Sequence, residues 1–322
     1  MKKILWFVLF VVLVLAIDFY RFQHAPLIVV RHNLVVKLGD NLGLLVGSLP
    51  ELSDFRARNY FALYSKLVDP VMKPGNHVLN SGDSLLDVMA AIASEPEDVK
   101  VTLLEGDRLE QYAAKLAANQ VMDESAALRC FRGCEVTKYR EWLDAKTGYE
   151  GFLFPDTYNF QVGMNPSSAL TKILDNFQAK VGPLLATKNT LTNGYSLREK
   201  VIVASLLERE GITLEDKKMI SGIIYQRLRE GMRLDIDASV LYVLGDWRAE
   251  ITYQALQSDS PYNTRKQAGL PPGPICNPGI DSLSAAFEPI GSRYFYYLTD
   301  SQGRMHYAET LEGHNQNKQK YL

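Results

Sequence analysis

The sequence predicts an α+β protein: an N-terminal transmembrane helix, a small α/β unit, and a larger mixed α+β domain around a central buried helix. An uncharged apolar run opens the chain, and short β-type segments then alternate with helices whose start and stop signals are legible. The third observation is composition: 322 residues, 47% of them hydrophobic, can bury a full core in one large or two moderate domains. The formal net charge of −2 supplies no basic field, so nucleic acid is excluded as an ordinary partner.

The opening run is ILWFVLFVVLVLAI, residues 4–17, preceded by Lys2 and Lys3 and ended by Asp18. Alone it falls short of the roughly 17–25 residues that a spanning helix needs. Phe19, Tyr20 and Phe22 extend it as an interfacial flank. No small-x-small cleavage site follows Ile17, so a retained anchor over residues 1–24 is favoured over a cleaved signal peptide. With the two lysines on the cytoplasmic side, the rest of the chain lies beyond the membrane.

A small folded unit is expected over residues 27–95. APLIVVRHNLVVKLG reads as β structure and DFRARNYFALYSKLV as a helix; Pro74-Gly75 marks a turn and NHVLN a strand. Ser81 or Asp83 is the expected cap of a helix with Leu85, Leu86, Met89 and Ile92 on its apolar stripe. The linker EPED leads to the larger domain, residues 98–322. There VKVTLLEG reads as a strand, and Asp107 with Glu110 as a capping box for the next helix. Residues 120–150 read as helical, and 188–195 as a loop. Ser196 with Glu199 opens the helix VIVASLLERE, which Gly211 stops; Thr213 and Asp216 open the next, and Asp237 caps a third. SPYNTRKQAGLPPGPICNPG is too rich in Pro and Gly for a regular element. The helix DSLSAAFEPI and a hairpin turning at Gln302-Gly303 close the domain.

The helix VIVASLLERE poses the chemical question, because it is apolar on most sides yet ends in Glu208 and Glu210. On a helical wheel Glu210 shares the stripe of Val203, Leu206 and Leu207, whereas Glu208 shares that of Val201 and Ala204. Burial and the negative helix end both raise a carboxyl pKa, and a carboxyl held neutral near pH 7 suits a general acid. A structural ion pair or a solvated helix end would account for the same residues equally well. The residues alone do not separate Glu208 from Glu210. They stand about 200° apart on the wheel, so they cannot face one bound group from the same helix.

Other chemistries lack their signatures: there is no H-E-x-x-H, no P-loop, no G-x-S-x-G and no Gly-rich dinucleotide turn. No cofactor or metal is expected. Cys130 and Cys134 could close a local disulfide, but idle cysteines are the preferred reading for these and Cys276. A zinc site is disfavoured because no His lies near the pair. His306 and His314 could serve substrate contacts, with a role in the fold preferred.

Several stretches, in order, resemble the YceG-like (MltG) endolytic murein transglycosylases: EGFLFPDTYNF, VIVASLLERE, ISGIIYQRLREGMRLDIDASVLY, SPYNT, GLPPGPICNPG and HYAETLEGHN. The resemblance covers most of residues 100–320, and the N-terminal anchor and MKPGNHVLNSGDSLLDVM fit the family's LysM-like unit. It implies an inner-membrane, single-pass enzyme with a periplasmic catalytic domain. Such an enzyme cleaves the bond between N-acetylmuramic acid and N-acetylglucosamine, leaves a 1,6-anhydro end, and terminates nascent strands beside peptidoglycan synthases (penicillin-binding proteins). It assigns the catalytic acid to Glu210 and a supporting place to Glu208. Asp237, Tyr158, Tyr262, Asn263 and Thr264 are the candidate substrate contacts, with capping the preferred role for Asp237. Asp235, Ala238 and Cys276 depart from the family pattern. A non-catalytic peptidoglycan-binding scaffold and a conventional hydrolytic muramidase are the competing readings.

Overall fold

The computed structural model describes residues 2–322, apart from 37, 38, 41, 44, 46–48, 69, 70, 97 and 212. These residues form two compact units. One comprises residues 1–101, 117–122 and 159–165; the other comprises 102–116, 123–158 and 166–322.

The first unit begins with α1 (Lys2–His24). At 1.5 Å per residue its 23 residues extend roughly 34 Å, enough to cross a hydrocarbon core of about 30 Å. It is the one helix among the described residues long and apolar enough to do so, and its apolar side chains are unburied. Beyond Ile17 it docks on α2 (Phe55–Val68). Asp18 accepts hydrogen bonds from Arg56 at 2.5 Å and Tyr60 at 2.6 Å, and the rings of Phe19 and Phe22 each lie 5.3 Å from that of Tyr60. Strands β1 (His32–Val36) and β2 (Gly75–Leu79) pair antiparallel, with His32 opposite Leu79. Their inward residues meet Phe61 of α2 and Leu85, Val88 and Ile92 of α3 (Leu85–Ala93) in one core. The cap of α3 is Ser84, in a reciprocal box with Asp87, rather than Ser81 or Asp83. Gly75 has φ +147°, and a Cβ there would come within 2.3 Å of Pro96, so only glycine fits this turn.

Strand β3 (Val99–Thr102) pairs with β4 (Thr157–Phe160), so the predicted strand VKVTLLEG is regular only in its first half. In the second unit, α4 (Leu109–Ala118) starts without the expected box. Asp107 pairs instead with Lys115 at 2.7 Å, and Glu110 with Arg132 at 2.6 Å. Residues 120–150 are helical only in part, as α5 (Glu124–Gly133) and a 3-10 segment at Thr137–Trp142. Cys130 and Cys134 are joined in a disulfide at the end of α5, which corrects the reading of that pair as idle; Cys276 is free and buried. The long helix α6 (Pro166–Leu185) lies outside the sequence reading, although Ala169, Ile173, Phe177 and Val181 recur at helical spacing on its buried face.

Helix α7 (Leu197–Leu207) opens with the predicted Ser196–Glu199 box. Val201 to Leu207 are all buried, packed against α8 (Leu214–Arg229) and α10 (Ile280–Phe287). A helix enclosed on every side must satisfy its polar groups internally. Ser205 does so, donating to Ile202 O at 2.7 Å and accepting from Ile275 N–H at 3.0 Å. Helix α8 carries the predicted Thr213–Asp216 box. Its Gly222 lies so close to the Ile290 carbonyl that an added Cβ would stand 1.9 Å away. Helix α9 (Asp237–Leu244) follows. The hairpin β5 (Tyr296–Thr299) and β6 (Met305–Ala308) matches expectation, with Tyr297 opposite Tyr307. A final helix, α11 (Leu311–Tyr321), was not anticipated.

Candidate active site

Regular helix ends at Leu207, and residues 208–210 form a turn. The final hydrogen bonds tighten to i→i+3, Arg209 N–H to Leu206 O at 3.1 Å and Glu210 N–H to Leu207 O at 3.2 Å. This corrects the picture of both glutamates riding on one helical wheel. They diverge because they leave the helix through a turn and meet different partners.

Glu208 turns to the N-terminus of α10. That helix has Gly279 at its cap and no side chain of its own to satisfy the first N–H groups. The Glu208 carboxylate accepts from Gly279 N–H at 2.9 Å and Ser282 Oγ at 2.6 Å, and Lys217 Nζ stands 3.4 Å away. Such a charge-assisted bond to orphan helix N–H groups supplies the missing cap.

Glu210 opens into a cleft of about 530 Å³, lined among others by Arg227, Asp237, Arg265, Tyr297 and His314. Tyr297 donates its hydroxyl to Glu210 Oε2 at 3.1 Å, and the Ala238 backbone N–H favours the anion of this carboxyl. That N–H belongs to the first turn of α9, where helices carry unpaired donors and a partial positive charge. Burial is the main cause that lifts the Glu210 pKa to about 7. The Tyr297 phenol opposes that rise, the Asp237 charge adds to it, and Ala238 N–H and Arg265 pull the other way. The result is a carboxyl neutral enough to donate a proton and surrounded by donors that stabilise its anion.

Asp237 sits in the first turn of α9 but caps nothing; its carboxylate is held by Arg265 at 2.5 Å. Arg227 is buried in the cleft wall and donates to the carbonyls of Leu234 at 2.7 Å, Arg233 at 3.0 Å and Phe295 at 2.7 Å. Asp235 is bent into the left-handed region, φ +56°, a conformation of some cost for a non-glycine residue. Its N–H bonds Thr264 O at 3.2 Å and its carboxylate lies 3.4 Å from Arg227. Burial and the nearby Lys318 and Arg227 charges lower the His314 pKa, keeping the imidazole neutral; its Nδ1 is buried without a hydrogen-bond partner.

Of the residues singled out from the sequence, the cleft brings Glu210 and Asp237 together, with His314. Asn263 is fully buried, its Nδ2 donating to Leu256 O and Ser258 O, each at 2.9 Å. Thr264 is also buried; its Oγ1 accepts from Ile236 N–H at 3.0 Å and meets Ser239 Oγ at 2.9 Å. Thr264 therefore frames the turn that presents Asp237 and Ala238, whereas Asn263 braces its own loop. Tyr158 is buried and donates to Phe154 O at 2.6 Å. Tyr262 lines a separate cavity. Arg227, Arg265 and Tyr297 went unforeseen. Nothing in a helix charge, a loop cation or a strand tyrosine distinguishes them before tertiary contacts form.

A YceG-like family model matches residues 34–320. The chain is similar to the endolytic murein transglycosylase of Bacillus subtilis (strain 168), 29% identical over 307 residues, 90% of this chain and 84% of that relative. Another relative bearing the same name, from Streptococcus pneumoniae serotype 2, is 30% identical over 228 residues. That match takes in 66% of this chain but only 40% of the streptococcal one. A 2.6 Å crystal structure of a YceG-like protein from Listeria monocytogenes matches with a TM-score of 0.60 and 28% identity, covering 89% of this chain and 98% of that one.

Proposed function

Because the chain belongs to the YceG-like family, we propose that it is a membrane-anchored lytic transglycosylase that cleaves peptidoglycan glycan strands internally, with Glu210 as its catalytic acid. The observation that carries this reading is a carboxyl with pKa raised to about 7, opening into a cleft among fixed donors. The neutral acid protonates the oxygen linking N-acetylmuramic acid to N-acetylglucosamine, and that bond breaks. The Glu210 carboxylate, held by the Tyr297 hydroxyl, then takes the proton of the muramyl 6-hydroxyl as its oxygen closes on C1. A 1,6-anhydro end results and no water is consumed. One carboxyl serves both steps because its pKa lies near the working pH.

Hydrolytic glycosidases ordinarily require a second carboxylate acting as nucleophile or base. The other acids lining this cleft, Asp237 and Asp235, are engaged by Arg265 and Arg227, and that pairing favours the single-carboxyl route. Helix α1 holds the enzyme at the inner membrane with Lys2 and Lys3 on the cytoplasmic side and the catalytic domain facing the periplasm. The LysM-like first unit retains the strand, and the product is a terminated nascent strand released beside a peptidoglycan synthase. Mass spectrometry of sacculi digested by the purified protein is the test: anhydro-muramyl ends are expected, and they should vanish with Glu210→Gln. Reducing ends would assign a muramidase instead, and unchanged chain ends a scaffold.

A further inference from the structure

A second cavity, of about 540 Å³, lies away from Glu210 in the same unit and has no part in the chemistry above. Its walls are aromatic: the rings of Tyr242 and Tyr262 lie 4.7 Å apart, and the Arg108 guanidinium stacks 4.3 Å above Tyr242. Arg108, Arg132 and Lys146 line it against a single half-buried carboxylate, Glu110. That carboxylate is shared between Arg132 at 2.6 Å and Arg108 at 3.6 Å, leaving an excess of positive charge.

Glu150 also lines this cavity and is only 3% exposed. Its recorded partners both donate: Asn277 Nδ2 at 3.1 Å and Leu109 N–H at 3.4 Å. Burial first, and then the neighbouring Glu110 charge, raise its pKa to about 8, so at neutral pH the group carries a proton.

We propose that this cavity binds a peptide-bearing muramyl unit of the glycan. The pyranose lies on the Tyr242–Tyr262 pair, and a stem-peptide carboxylate meets Arg108 and Arg132. Aromatic faces suit the apolar faces of sugar rings, and guanidinium forks suit carboxylates. The site thereby makes the enzyme selective for strands that retain their stems. This inference rests on the peptidoglycan reading of the Glu210 cleft.

The test is titration calorimetry of the full chain in detergent, carrying Glu210→Gln so that nothing is cleaved. The probes are N-acetylmuramyl-L-alanyl-D-isoglutamine, peptide-free chitobiose and inorganic pyrophosphate. The muramyl peptide is expected to bind at least tenfold more tightly than chitobiose, and Tyr262→Ala or Arg108→Ala should weaken it tenfold or more. Should Arg108→Ala fail to fold, Arg132→Gln on the exposed rim is expected to weaken binding and lessen its salt dependence. Equal affinity for chitobiose, binding of pyrophosphate alone, or indifference to all these substitutions would overturn the proposal. End-group analysis with Glu210 intact is a separate measurement. Absence of cleavage there counts against the transglycosylase reading and leaves the binding result standing.

Discussion

At the scale of single residues, Glu210 owes its properties to partners that are remote in sequence. From the residues alone Glu208 and Glu210 were equivalent, and the ordered motifs named Glu210 through resemblance. Tertiary structure separates their surroundings, giving Glu208 a helix end and a lysine, and Glu210 a cleft, a phenol and an arginine-paired aspartate. If Glu210 acts as a neutral acid, kcat/KM falls as pH rises through about 7. Tyr297→Phe removes a bond that favours the anion, so the falling limb should move to higher pH while the rate drops about tenfold or more. An unmoved limb would show that the phenol does not act on this carboxyl. Stability follows the same pKa. The native carboxyl binds its proton more tightly than the unfolded one, whose pKa is near 4.5, so stability present at low pH is lost as pH rises from there through about 7. Glu210→Gln should therefore raise stability at pH 8, by up to about 3 kcal/mol, and much less at pH 4; urea titrations at the two pH values read the difference.

At the scale of elements, local signals were legible and distant ones were not. The boxes at Ser196–Glu199 and Thr213–Asp216 could be read because cap and acceptor lie three residues apart. The cap of α10 could not, because Glu208 reaches it from another helix across more than seventy residues. Glu208→Ala leaves α10 uncapped and Lys217, only 7% exposed, without its counter-ion. A loss of about 3 kcal/mol or more is expected in denaturant titrations. Thr264→Val orphans the Ile236 N–H and disturbs Ser239, at about 1–3 kcal/mol. Because that turn presents Asp237 and Ala238, turnover should fall by more than the lost stability explains, measured well below the unfolding temperature. Helices α6 and α11 went unread for different reasons. The first has a clear apolar stripe but no stop signal to mark its end. The second has a polar sequence with no buried residue and holds its shape beside the hairpin.

At the scale of the whole molecule, α1 and the mixed α+β class were legible because hydrophobic runs and period report on burial directly. A chain begun at residue 25 is expected to appear in the soluble fraction on ultracentrifugation, where the full chain sediments with membranes. The disulfide makes the chain its own reporter of sidedness. Chains held in a reducing compartment expose all three sulfurs to alkylation after denaturation. Chains that have crossed into an oxidising one offer Cys276 alone, because such bonds form and persist only there. Intact mass after denaturing alkylation without reductant therefore counts one tag or three per chain. That number gives the side of the membrane on which the chain lies beyond α1, with no fusion, no antibody and no change to the protein.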